Sequence, residues 1–177
     1  MKRIFQFIPV MILLLFTGCR GKVVADMTFG VTGAGNAIIT MENFRGAKDR
    51  IESQLTSDGF RVKEVYYDEN NTIVKLEWNN FNKVRQFQKM TLNSDFSLTL
   101  DCGNVDELSS FDGEVFVTVP GKIISEEGIK LEPNRVKFNS GQVTVTYWPT
   151  VFYYITLAFI LGLGGFVYWF FKKRNRG

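Results

Sequence analysis

None of the 177 residues is a histidine, and that absence removes most of the familiar side-chain chemistry at once. Ser-His-Asp and Cys-His nucleophilic pairs are excluded, as is the commonest zinc ligand. The groups left with reactive potential are two cysteines, Cys19 and Cys102, and 18 carboxylates. Two acids held together could do acid–base work, but no spacing in this chain places two of them together. Acids scattered in this way belong to a solvated surface. Asp68-Glu69 is the nearest approach to a cation site, yet an acidic tip without further spaced oxygen ligands reads as a turn. Gly33-Ala34-Gly35 has the Gly-x-Gly spacing, but it lacks the third glycine and leads into a strand, so it cradles no phosphate. No catalytic residue, metal site or cofactor is expected, and the chain reads as a non-enzyme.

Context separates the two thiols. Cys102 closes the alternation Phe96, Leu98, Leu100, Cys102 against Ser97, Thr99 and Asp101, which places it on the apolar face of a strand as a small buried hydrophobe. Cys19 follows Leu15-Phe16-Thr17-Gly18. A charged Lys2-Arg3, an apolar Ile4–Phe16 and a small-residue processing site at Thr17-Gly18-Cys19 are the three parts of a secretory signal. The arrangement resembles the bacterial lipobox, whose cysteine is acylated with palmitate-type chains and becomes the new N-terminus. Phe16 stands where leucine is commoner, and an uncleaved anchor is the alternative. Acyl chains stabilise membrane attachment by ~0.8 kcal/mol per buried CH₂. With Cys19 lipidated, Cys102 has no partner for an internal disulfide. Residues 1–18 are then a signal peptide and 19–150 an extracytoplasmic domain.

The second membrane signal is stronger. Val151–Phe171 contains 21 residues without a charge and is followed by Lys172, Lys173, Arg174 and Arg176. As a helix the run is roughly 31 Å long, about the thickness of a bilayer's hydrocarbon core. Basic residues are retained on the cytoplasmic side, so 172–177 form a cytoplasmic tail and the domain lies outside. Trp148, Tyr153 and Tyr154 suit the outer interface, and Tyr168 and Trp169 the inner one. Ala158, Gly162 and Gly165 share a small-residue face that could pack another transmembrane helix. The ends also carry the net charge of +3. Removing the six terminal basic residues leaves 15 Lys and Arg against 18 Asp and Glu, a net of −3. A mildly acidic domain has no footprint for nucleic acid.

The elements between these anchors are mostly strands. Val23–Val31 and Asn36–Met41 flank a glycine-rich link and predict a hairpin. Asn43 is a suitable N-cap for a helix over 44–57, with Phe44, Ala47, Ile51 and Leu55 on one face and Gly59 as its left-handed stop. Phe60–Tyr67 and Thr72–Trp78 predict a second hairpin around Asp68–Asn71. In Asn80–Met90, Phe81, Val84 and Phe87 recur every three residues and leave a short helix open. Gly103–Gly113 reads as a loop, Glu114–Val119 as a strand ended by Pro120-Gly121, and Lys122–Glu127 as an extended or turning segment closed by Gly128. Arg135–Phe138 and Gln142–Trp148 predict a third hairpin around Asn139-Ser140-Gly141, and Pro149 separates it from the terminal helix. The expected fold is α+β, mostly antiparallel sheet with one or two helices, plus the C-terminal transmembrane helix.

With 17 Phe, 6 Tyr and 3 Trp, the apolar faces could fill a core or line a groove for an acyl chain. Several short motifs add to this reading: Val117-Thr118-Val119-Pro120-Gly121-Lys122-Ile123, Gly128, Gly141–Trp148 before the apolar run, and Gly18-Cys19 followed by Val24-Ala25-Asp26-Met27-Thr28-Phe29. In these and in its overall architecture the chain resembles the LppM family of bacterial lipoproteins. The resemblance implies an α+β extracytoplasmic domain associated with lipid. Together these features predict a non-enzymatic lipoprotein of the cell envelope, lipid-anchored and single-pass in the cytoplasmic membrane. Its domain would bind lipid or glycolipid; the alternative is a module that assembles other envelope membrane proteins.

Overall fold

The computed structural model describes residues 21–85, 87–104 and 113–174. The predicted signal segment, Cys19 and Arg176 lie outside the described residues, as does most of the predicted 103–113 loop. The described residues begin with β1 (Val23–Phe29) and β2 (Gly35–Met41), then α1 (Lys48–Ser57), β3 (Arg61–Asp68) and β4 (Asn71–Trp78). A single 3₁₀ turn at Phe81–Lys83 precedes β5 (Lys89–Leu92) and β6 (Leu98–Asn104). After residue 113 come β7 (Glu114–Thr118), β8 (Gly121–Glu126), β9 (Ile129–Glu132), β10 (Arg135–Phe138) and β11 (Gln142–Pro149). The chain continues directly into α2 (Thr150–Arg174).

The strands form a seven-stranded sheet, β3-β4-β2-β1-β7-β10-β9, and a four-stranded sheet, β5-β6-β11-β8. Pairing is antiparallel except between β1 and β7, which run parallel. Strand alternation gives each sheet one apolar face. On the large sheet Val74 and Leu76, Ala25 and Met27, Val115 and Val117, and Val136 and Phe138 are buried on that face. On the small sheet Leu100 and Cys102 join Val143, Val145 and Tyr147 in the same core cluster, together with Ile51 and Leu55 of α1. The opposite face of the large sheet is polar. Glu114 pairs with Lys22 at 3.1 Å and Lys137 at 2.6 Å, and Arg135 reaches Asp26 at 2.7 Å over the Phe116 ring. The α+β class with mostly antiparallel sheet, and two α-helices among the described residues, is as the periodicity predicts.

Several local expectations are corrected. The helix begins at Lys48, with Ala47 as its N-cap and no side-chain cap. Asn43 lies at φ 55°, its N–H donating to Asn71 Oδ1, and the Phe44 carbonyl accepts the Thr72 hydroxyl. Residues 43 and 44 are thus fastened across to β4, and the Gly46 carbonyl accepts the Tyr67 hydroxyl of β3 at 2.6 Å, so these bonds replace a first helical turn. The stop at Gly59 is as expected: φ is 93° and the Phe60 N–H returns to the Leu55 carbonyl. The three-residue recurrence of Phe81, Val84 and Phe87 resolves as the 3₁₀ turn plus an extended exit, with all three side chains buried.

The predicted third hairpin does not exist. β10 pairs with β7 and β9 in the large sheet, while β11 pairs with β6 and β8 in the small one. The Asn139-Ser140-Gly141 turn, with Gly141 at φ 85°, carries the chain from one layer to the other. Gly103 belongs to β6 rather than to a loop, and Ile129–Glu132 after Gly128 is a strand of its own. Pro149 is the last residue of β11, paired with Gly121, so no linker separates sheet from helix.

Candidate functional site at the sheet–helix junction

The junction is built from two turns and a helix start at one end of the small sheet. Tyr147 pairs with Leu98 of β6 and with Ile123 of β8, and Pro149 pairs with Gly121. The register therefore puts the β5–β6 turn, the Pro120-Gly121 corner and the start of α2 side by side. A Cβ on Gly121 would lie 2.0 Å from the Trp148 carbonyl oxygen, so glycine is needed for these strands to approach. Thr150 closes the corner: its N–H donates to the Pro120 carbonyl at 3.0 Å and its hydroxyl to the same oxygen at 2.7 Å. The helix is thereby hydrogen-bonded to the domain at its first residue.

Beyond that residue α2 leaves the domain. Val151 and Phe152 are half-buried, and the described side chains from Tyr154 to Phe166 are exposed. The large apolar ones, Ile155, Leu157, Phe159, Ile160, Leu161, Leu163 and Phe166, are each 42–66% exposed. Thr156 donates its hydroxyl back to the Phe152 carbonyl at 2.8 Å and so presents no free polar group. A Cβ added to Gly162 or Gly165 would meet nothing within 4 Å, and Ala158 beside them is exposed.

Among the described residues no helix is long and apolar enough to cross a membrane. The side chains of 153 and 167–174 are outside that description, and the stretch 150–166 alone is roughly 25 Å long, short of the ~30 Å hydrocarbon core. All 25 residues of α2 together come to roughly 37 Å.

Of the residues singled out from sequence, the structure brings Trp148 and Tyr154 to the junction, both exposed. The side chains of Tyr153, Tyr168, Trp169, Lys172, Lys173 and Arg174 fall outside the described residues, as do Cys19 and Arg176 altogether. Sequence reasoning missed Phe96. Alternation assigns it to the buried face with Leu98, but it sits in the β5–β6 turn at φ 63° and is 65% exposed. Its ring lies 6.2 Å from that of Phe152. Leu92, paired opposite Leu98, is 57% exposed. Asp95 accepts from the Ser97 N–H at 3.0 Å and the Ser97 hydroxyl at 2.6 Å, and these bonds hold its carboxyl below the ordinary range. Lys122, the exposed partner of Trp148, completes the rim.

The remaining aromatics pack on one another. Phe29, Phe60, Trp78, Phe81 and Phe87 form one cluster with ring centroids 4.6–5.9 Å apart, and the Trp78 indole N–H donates to the Gly33 carbonyl at 3.0 Å. Beside it an open recess of about 370 Å³ is lined by Thr28–Gly30, Ala34–Asn36 and Glu77–Asn79. Cys102 is fully buried, and burial pushes its thiol well above the usual range, as its strand position predicts. No group of three His, Cys, Asp or Glu side chains that could hold a metal occurs among the described residues.

No protein-family model matches the chain, and no curated protein matches it. Among solved structures it is similar to the NMR structure of the folded domain of LppM from Mycobacterium tuberculosis. The TM-score is 0.49 at 16% identity, over 75% of this chain and 91% of that one.

Proposed function

We propose that this chain is a non-enzymatic, membrane-tethered protein of the bacterial cell envelope whose domain works at the lipid surface. The observation that carries the reading is α2: a helix without a polar stripe that leaves the sheet with no linker and exposes its apolar side chains. A helix apolar on every side is stable only when buried in protein or in lipid. Over Val151–Phe171 the run is long enough to span the bilayer, with the basic tail inside and the domain outside. Acylated Cys19 would fasten the domain to the same leaflet from its other end. The lipid or glycolipid it handles would be met at the junction rather than enclosed, since the described core aromatics are engaged with each other.

Carbonate washing of bacterial membranes containing the full chain tests the reading. The Cys19→Ala variant should stay in the membrane pellet, and external protease should digest the domain while sparing the tail. Release of that variant into the supernatant would overturn the proposal.

A further inference from the structure

Phe96 occupies a backbone position that favours glycine. Asn93–Ser97 is a three-residue hairpin loop in which the Asn93 N–H donates to the Ser97 carbonyl at 2.9 Å and the Phe96 N–H to the Asn93 carbonyl at 3.1 Å. The third loop residue of such hairpins is left-handed, and glycine is favoured there because a side chain costs roughly 1–2 kcal/mol. The loop is otherwise locked. Asn93 Nδ2 donates to Ser97 Oγ at 2.9 Å and Thr99 Oγ1 at 3.0 Å, and Asp95 is tied to Ser97. A rigid turn therefore holds a large ring out at a backbone cost, and the core gains nothing from it because the ring is mostly exposed. Strain kept at an exposed side chain points to a use outside the fold.

We infer that the β5–β6 turn is a second, shallow membrane contact, seating Leu92, Phe96, Trp148 and Phe152 at the headgroup–acyl boundary of the phospholipid leaflet that α2 enters. The inference rests on the reading of α2 as a membrane-crossing helix. Depth follows from the chain itself. Phe152 is the second residue of the uncharged run, and Phe96 stands beside it, so the ring is level with the place where hydrocarbon begins. The two Thr150 hydrogen bonds to Pro120 prevent the domain from swinging away on a linker. Trp148 on the same rim is the residue type that favours this boundary. The polar groups fit a shallow pose: ionised Asp95 stays at headgroup level, and exposed Lys122 beside Trp148 can reach phosphate. A bilayer is favoured over a protein partner because the patch is continuous with the first turn of the helix.

The test uses the full chain with Cys19→Ser in phosphatidylcholine vesicles, carrying an environment-sensitive probe on Phe96→Cys, on Leu92→Cys, or on Asn70→Cys at the opposite end of the large sheet. Buried Cys102 stays unlabelled in the folded protein. Nitroxide lipids labelled near the top of the acyl chain should quench probes at 92 and 96 by more than half and leave the probe at 70 unchanged. Adding Phe96→Gly to the Leu92 probe should lower its quenching while raising the thermal midpoint, a divergence that a purely structural role would not produce. Equal, weak quenching at 92, 96 and 70 in a chain that resists carbonate extraction would overturn the inference and leave the tether intact. Extraction of the chain itself would overturn both.

Discussion

Two turns of this protein share one hydrogen-bond pattern and differ in the residue at its tightest point. In Gly30–Ala34 the Gly30 N–H donates to Ala34 and the Gly33 N–H to Gly30; in Asn93–Ser97 the Asn93 N–H donates to Ser97 and the Phe96 N–H to Asn93. Both third residues are left-handed, Gly33 at φ 79° and Phe96 at φ 63°. The first turn packs its third residue inward, where a Cβ on Gly33 would lie 2.8 Å from Met90 Sδ and 3.3 Å from Phe81 Cβ. The second faces outward beside the start of α2. One turn has the residue that its backbone and its neighbours both require. The other keeps a residue that its backbone disfavours, which is intelligible if the side chain serves an external surface.

The contrast is challenged hardest by putting a side chain into the first turn. Gly33→Val should cost roughly 2–3 kcal/mol through strain and collision, read as a lowered midpoint in chemical unfolding of the detergent-solubilised protein. A neutral result would mean that the two turns are not under different constraints. The reverse exchange, Phe96→Gly, should stabilise by roughly 0.5–1 kcal/mol, since relief of the left-handed strain outweighs the added freedom of the unfolded chain. Destabilisation there would show that the ring supports the fold.

Tyr147, opposite Leu98 just above the second turn, tests whether strain is confined to the loop. Its hydroxyl is buried with no hydrogen-bond partner among the described residues, and burial pushes its pKa up to about 12. Tyr147→Phe should therefore be neutral or stabilising by up to about 1 kcal/mol in the same unfolding assay.

The smallest effect is expected on the polar face of the large sheet, away from both turns. Hydrogen bonds from Lys137 and then Lys22 hold the Glu114 carboxyl below its ordinary range. A depressed folded pKa means that this stabilisation is present above the unfolded value of about 4.3 and is lost as pH falls through the folded one. The thermal midpoint should fall on acidification below about pH 4.5, and Glu114→Gln should shrink that fall.

Much of the fold is legible in the sequence because burial on one face imposes a period of two. Val74, Leu76 and Trp78 of β4 announce their face, as do Leu100 and Cys102 of β6, and Gly59 announces the end of α1. The expected β10–β11 hairpin fails for a definite reason. Alternating strands around a glycine turn look the same whether the second strand folds back or crosses to another layer, and that choice is made by distant β6, β7 and β8. Helix α1 starts four residues later than its spacing predicts, because Phe44 has the right period while its carbonyl and Asn43 are claimed by β4. Alternation misplaces Phe96 because the pattern continues through it on paper. The Asn-Ser-Asp run before it signals a turn, but only the register with β5 shows that Phe96 takes the glycine position.

Whether α2 crosses a membrane from a rigid joint can be read from a nitroxide scan of residues 152–166 in reconstituted full-length protein. For a crossing helix, access to oxygen rises from the junction to a maximum about ten residues in, at the bilayer midplane, and then falls, while access to a water-soluble relaxation agent stays low at every position within the hydrocarbon. A helical repeat in which every third or fourth position is open to the water-soluble agent would place α2 on a surface instead, and would contradict the crossing.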